Sequence, residues 1–218
     1  MIGKEIIWLI RLELQKEWKQ RYTLNSILLY VVASIYILSL TLRLFDKPIW
    51  NALYWIVLLF SGIGAVSKSF IQESRGKMIF YHQTLSAQGF ILAKMIYNAG
   101  YMLLVNTLTF LVYSLWLGNL ADNVVFFYLS TSLGSIAFSV ILSMTSAIAA
   151  KTGNANVLMP VLSFPLLIPV LLIAVKTSKK AVDGLDVLLI YPDFLALFAF
   201  IIMSGILAFT LYPWLWKD

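Results

Sequence analysis

KSFIQESRGKMIFYHQTLSAQGFILAK, residues 68–94, is the one long polar interruption in an otherwise apolar chain. It carries Lys68, Glu73, Arg75, Lys77, Lys94 and the only histidine, His82, around a middle rich in Gln, Ser and Thr. On both sides the sequence returns to long apolar runs. A membrane-embedded chain with a single segment of this kind is expected to meet soluble partners there.

The totals support a membrane setting. Of 218 residues, 61% are hydrophobic and 12% charged, with a mean hydropathy of +0.89. Soluble domains are about half apolar and about a quarter charged. A bilayer-spanning helix needs roughly 20 apolar residues, and the apolar runs at 24–42, 49–67, 95–117, 124–150, 157–175 and 194–216 predict six spans. The expected architecture is an all-α integral membrane protein, one transmembrane domain over residues 1–218. Cysteine is absent, which excludes disulfides, thiolate metal sites and a cysteine nucleophile. The net charge of +6 is read as a question of which membrane face the cations occupy, not as a nucleic-acid signal.

Residues 1–21 read as an amphipathic helix lying in the membrane interface. Ile2, Ile6, Ile10, Leu14 and Trp18 form a slanting apolar stripe, and Lys4, Arg11, Gln15 and Lys19 gather opposite, toward anionic lipid. A short soluble extension is the alternative. Lys4, Glu5, Arg11 and Glu13 interrupt the first apolar residues, so no cleavable signal is expected and the first span serves for insertion. With six spans, the termini, 68–94 and 151–156 share a side. That side holds Lys4, Arg11, Lys16, Lys19, Arg21, Lys68, Arg75, Lys77, Lys94, Lys151 and Lys217, eleven of the sixteen basic residues. Basic loops stay inside, so both termini and 68–94 are expected in the cytoplasm.

Within the spans ionisable groups are essentially missing, whereas ion-coupled transporters use them at membrane depth. Ser135, Ser139 and Ser143 repeat every four residues in the fourth span and read as a helix-packing face; a dimer face would look the same. Pro160, Pro165 and Pro169 each remove a backbone donor from the fifth span, which is expected to be kinked or broken and packed inside the bundle. Residues 176–193 suggest a short external loop and then a shallow or re-entrant helix.

Catalytic motifs are missing: no HExxH, no GxSxG, no phosphate loop. Gly62 and Gly64 sit mid-span and read as packing positions. His82, alone, reads as a surface or interface residue, and Trp214 and Trp216 as interfacial anchors. No catalytic, cofactor-binding or metal-ligating residue is assigned, and an intramembrane enzyme is disfavoured. If the protein uses ATP, another chain must bind it.

Three stretches resemble the CcmB family, the membrane subunit of the haem-exporter-type ABC complex of cytochrome c maturation. Residues 151–175, KTGNANVLMPVLSFPLLIPVLLIAV, resemble its basic, Gly-containing loop and proline-bearing fifth helix. Arg11–Leu12–Glu13–Leu14 is similar to its R-L-E-L opening, and residues 70–94 to its loop after the second span, with Glu73, Gly76 and Ala93–Lys94. The chain departs at Met78 and Ile79, where members often carry Leu-Glu, and at Ser86, Ala87 and Gln88, which replace the proline region.

The resemblance implies an ABC-2-type permease fold in a bacterial inner membrane, working as a homodimer with the ATPase CcmA, with CcmC and CcmD, and with the haem chaperone CcmE. ATP sits on the partner, and haem is a moved or handled species. It also implies a coupling helix over residues 80–90. There Phe80, Tyr81, Leu85 and Phe90 would anchor the ATPase inside a rim of Gln83, Thr84 and Gln88, and Glu73, Arg75 and Lys77 would steer it. Other readings are the permease of a different ABC-2-type exporter, or a scaffold that moves nothing.

Overall fold

A computed structural model describes residues 2–20, 22–41, 46–71, 75–151 and 155–217; within these, the side chains of 2, 20, 22–24, 67–69, 71, 75–79, 155–156 and 217 are not described. Among the described residues every regular element is a helix: α1 Ile2–Gln20, α2 Tyr22–Thr41, α3 Lys47–Ile71, α4 Arg75–Thr84, α5 Ala87–Leu117, α6 Val124–Ala149, α7 Ala155–Val182 and α8 Val187–Lys217. Five of them, α3, α5, α6, α7 and α8, are long and apolar enough to cross a membrane. The apolar part of α2, Asn25–Thr41, is shorter. At 1.5 Å per residue it reaches roughly 26 Å, against a hydrocarbon core of roughly 30 Å.

The bundle is built around α6. Its small residues allow close approach on several sides: Ser130, Thr131, Ser135, Ser139 and Ser143 are all fully buried. Ser135 and Ser139 satisfy their hydroxyls within the helix, on the carbonyls of Ser132 and Ile136, and Ser143 accepts a 2.8 Å bond from the Asn98 amide of α5. The row at 135, 139 and 143 therefore packs this chain's own bundle and presents no surface to a second copy. Gly134 is the closest point: a Cβ there would run into the Trp55 ring of α3 and lie 3.2 Å from Ala174 Cβ of α7.

At one end of the bundle, aromatic rings bind α3, α5 and α6. Trp50 lies 5.1 Å from both Tyr113 and Phe127, with Tyr54 5.3 Å from Tyr113. Their polar atoms are all used. Tyr113 donates to the Trp50 carbonyl (2.8 Å), Trp50 Nε1 to the Gly118 carbonyl (3.1 Å), and the Tyr54 hydroxyl to Asn106 Oδ1 (2.8 Å). Nearby, Asn51 and Trp55 both meet Ser178 of α7.

Two sequence expectations are corrected in α7 and α8. α7 runs unbroken through Pro160, Pro165 and Pro169, and it lies at the periphery, not inside the bundle. Its buried stripe is Met159, Ser163, Leu167, Val170, Ala174 and Ser178. Pro165 and Pro169 fall off that stripe, Pro165 on the exposed face, so their rings do not disturb the packing with α6. The second correction concerns residues 176–193, which form no separate shallow helix. α7 continues to Val182, a turn with Gly184 at φ 68° follows, and α8 starts at Val187. Three of the charges that made this stretch look too polar, Lys176, Lys180 and Asp193, meet across α7 and α8. Asp193 receives Lys180 at 2.6 Å and Lys176 at 3.3 Å, and Lys180 also donates to the Leu189 carbonyl.

Overpacking a close helix crossing costs about 1–3 kcal/mol. Gly134→Ala should therefore lower the thermal midpoint of the detergent-solubilised protein by several degrees. Gly100→Ala, where an added Cβ meets nothing within 4 Å, should leave it unchanged or raise it.

Candidate functional site

The polar segment and α1 come together at the opposite end of the bundle from the aromatic knot. The junction is built on two clasps between α1 and α5. In the first, Ser86 caps α5, its hydroxyl accepting from the Gly89 amide at 3.1 Å, and its own amide and hydroxyl both donate to Glu5 Oε2 at 3.0 and 2.6 Å. Gly89 leaves room for this clasp, because a Cβ would displace the Glu5 carboxylate and the Ser86 hydroxyl from their present positions. The Ser86 hydroxyl, and then its amide, hold the Glu5 carboxyl below its ordinary pKa of 4.5.

In the second clasp, Glu13 takes Lys94 Nζ at 3.1 Å and Lys16 Nζ at 2.9 Å. Lys94 is fully buried and Glu13 nearly so, with the ammonium 5.5 and 5.8 Å from the ring centres of Phe70 and Phe90. Glu5 to Glu13 and Ser86 to Lys94 are the same interval of eight residues. The two helices therefore run side by side in the same direction, clasped twice over roughly 12 Å.

α4 is tied into this junction from both sides. Lys16 donates to the Tyr81 hydroxyl at 3.1 Å, and Trp8 lies 6.4 Å from Phe80, which secures α4 to α1. His82 stacks on Trp216 of α8 at 3.9 Å and 11°, with Nε2 3.1 Å from the Trp216 carbonyl oxygen. Trp216 in turn packs 5.1 Å from Phe90.

The expected single helix over 80–90 is divided: α4 ends at Thr84, and Ser86 starts α5. The cap decides this, since a Ser side chain holding the amide three residues on sets a helix start. As a result the four expected aromatic and aliphatic anchors separate. Phe80 is half exposed (50%), Leu85 is partly buried, and Tyr81 and Phe90 are buried inside the chain. Gln83 and Thr84 are exposed beside Phe80, and Gln88 is partly buried. Glu73 lies outside the described residues. Arg75, Gly76 and Lys77 form the first turn of α4, with side chains outside those described.

Glu13, Lys94 and Ser86 are the residues that sequence reading passed over in this role. The Ser-x-x-Gly at 86–89 was a readable cap signal. A buried Glu–Lys pair 81 residues apart leaves no local trace. Among the described residues no group of three or more His, Asp or Glu could hold a metal ion.

Long apolar helices and a charge-clasped polar end make this a multi-pass membrane protein whose described charged groups hold helices together. Residues 4–211 match the family described as CcmB protein, and the chain belongs to that family. It is thus a membrane component of cytochrome c maturation, within the Ccm system. No curated protein matches the chain.

The Glu5 clasp should be pH-dependent with a defined sign. A carboxyl whose folded pKa is depressed contributes stability that is present above its unfolded value and lost as pH falls through the folded one. The stability difference between wild type and Glu5→Gln should therefore be constant from neutrality down to about pH 5 and shrink below the ordinary value of 4.5, measured by thermal unfolding in detergent across pH.

Proposed function

We propose that this chain is the permease subunit of an ABC-type complex of cytochrome c maturation, with α4 as the element through which a partner ATPase acts. In this reading α2, α3, α5, α6, α7 and α8 are six spans of an ABC-2-type arrangement in a bacterial inner membrane. Both termini and the α4 end face the cytoplasm, as the eleven-to-five distribution of basic residues favours. The observation that carries it is the placement of α4. It is a ten-residue helix at the end of the bundle, held to α1 by Lys16–Tyr81 and to α8 by His82–Trp216, with Phe80, Gln83 and Thr84 exposed.

Such an element can transmit force. A displacement of α4 by an ATPase closing on its nucleotide would pull α1 and α8 together, because both are attached to it. Through Glu13–Lys94 and Glu5–Ser86 the motion would pass from α1 into α5. The ATPase is CcmA in this account, and ATP is bound there. One chain supplies half of an ABC permease, so the working unit is a homodimer. Since Ser135, Ser139 and Ser143 are buried, the second copy meets another face. CcmC, CcmD and the haem chaperone CcmE complete the assembly. Haem is its handled species, and the step driven is haem delivery or release of loaded CcmE.

Phe80→Asp tests the docking surface without disturbing the core, since Phe80 is half exposed. The variant gives up the contact with Trp8, so its thermal midpoint in detergent should fall slightly while the fold is kept, and it should lose most of the ATPase that co-purifies from the native membrane. An ATPase retained in full would leave a scaffold that moves nothing as the better reading.

A further inference from the structure

α1 and α2 both pack on α5 but scarcely touch each other, and a cleft of about 680 Å³ opens between them. Its volume lies within the range of roughly 300–1,000 Å³ usual for ligand sites. The α5 side is lined from Ile96 through Tyr97, Gly100 and Tyr101 to Leu104, and the α1 side by Ile10, Leu14 and Trp18. Gly100 leaves this wall open, with nothing within 4 Å of where a side chain would start. The Tyr101 hydroxyl is buried there without a hydrogen-bond partner.

Leu14 and Trp18 have a second side. They also border a shallower depression of about 500 Å³ whose other residues are Arg11, Gln15 and Lys19. These three follow one another at intervals of four along α1, and all are exposed. The same two apolar side chains thus separate an apolar cleft from a basic shelf. Glu17 lines the cleft and not the shelf, so negative charge is favoured on the shelf alone.

We infer that this pair of depressions is a binding site for an anionic diacyl phospholipid, its phosphate on the Arg11–Gln15–Lys19 row and an acyl chain in the cleft against Gly100 and Tyr101. Phosphate prefers charge-assisted bonds to Arg and Lys, and an acyl chain fits the apolar part of the cleft, between Ile10, Leu14 and Trp18 on one side and Ile96, Gly100 and Leu104 on the other. A lipid seated there bridges α1 to α5 at a third point beyond the two clasps. The inference requires only that the chain is a membrane protein, and it stands apart from the proposal about the ATPase.

The test uses the purified full chain, stripped of lipid in neutral detergent and offered dioleoyl phosphatidylglycerol, dioleoyl phosphatidylcholine or glycerol phosphate. Native mass spectrometry reads what is retained. Wild type should hold one phosphatidylglycerol under activation that removes phosphatidylcholine. Arg11→Gln with Lys19→Gln, both at the surface, should weaken phosphatidylglycerol by at least about tenfold, to the level of phosphatidylcholine. Gly100→Leu, which fills the cleft, should reduce both lipids at an unchanged thermal midpoint. Equal retention of the two lipids by wild type would overturn the assignment, as would unaltered retention in both variants. Glycerol phosphate displacing phosphatidylglycerol at equal concentration would overturn it too, since the chains would then contribute nothing.

Discussion

The buried Lys94 ammonium is the constraint on which the polar end of this molecule depends. A fully desolvated cation is expensive, and a partner at hydrogen-bond distance is what makes it tolerable. Glu13 is that partner, at 3.1 Å, and it is shared with Lys16 at 2.9 Å. Phe70 and Phe90 complete the surroundings, offering ring faces to the cation. Removing one member of such a buried pair typically costs about 3–5 kcal/mol because the other charge is left behind. The pair therefore fixes where α1 sits on α5, and the position of α4 follows through Lys16 and Tyr81.

The rest of the bundle obeys the same economy of polar groups. In lipid an unsatisfied backbone or side-chain group has no water to turn to. Most of the buried Ser, Thr and Asn residues accordingly work as bridges between helices or fold back on their own carbonyls, although the hydroxyls of Thr109 and Ser146 make neither contact. Asn98 meets Ser143 across α5 and α6, Thr145 meets Ser163 across α6 and α7, and Asn51 meets Ser178 across α3 and α7. Apolar contact alone would give weak specificity in a medium as apolar as the side chains. Hydrogen bonds at these three crossings set the register instead, and Gly134 against Trp55 sets the distance.

Much of this was readable in the sequence, and the failures have a common cause. Apolar runs marked the long helices to within a few residues at most ends, because length and hydropathy are local properties. The small-residue row in α6, read as a packing face or a dimer face, is buried among this chain's own helices. Errors came where a polar or proline residue was judged without its distant partner. The charges of 176–193 suggested a loop and a shallow helix, whereas Lys180 near the end of α7 and Asp193 in α8 neutralise each other across the turn. Three prolines argued for a kinked or broken inner helix, when α7 runs on through them and two of them, Pro165 and Pro169, lie off the stripe it buries. Phe90 and Tyr81 looked like docking anchors because aromatic residues beside a polar rim do, yet both complete the core under α4. Glu13 was read only as a charge interrupting the first apolar residues and as one letter of a resemblance, R-L-E-L, and its partner lies 81 residues away.

What emerges is a membrane bundle with a rigid aromatic knot at one end and a clasped, partly charged platform at the other. The account holds that Glu13–Lys94 is what keeps α1 and α4 in one position. Since the chain has no cysteine, spin labels can be placed freely, at Gln15→Cys on the exposed face of α1 and Gln83→Cys on that of α4. Pulsed electron paramagnetic resonance then reads the distance between them. A single narrow distribution that broadens in a Lys94→Met background is the predicted result. An unchanged narrow distribution in that background would contradict the account, because the platform would then be held by something other than the buried pair.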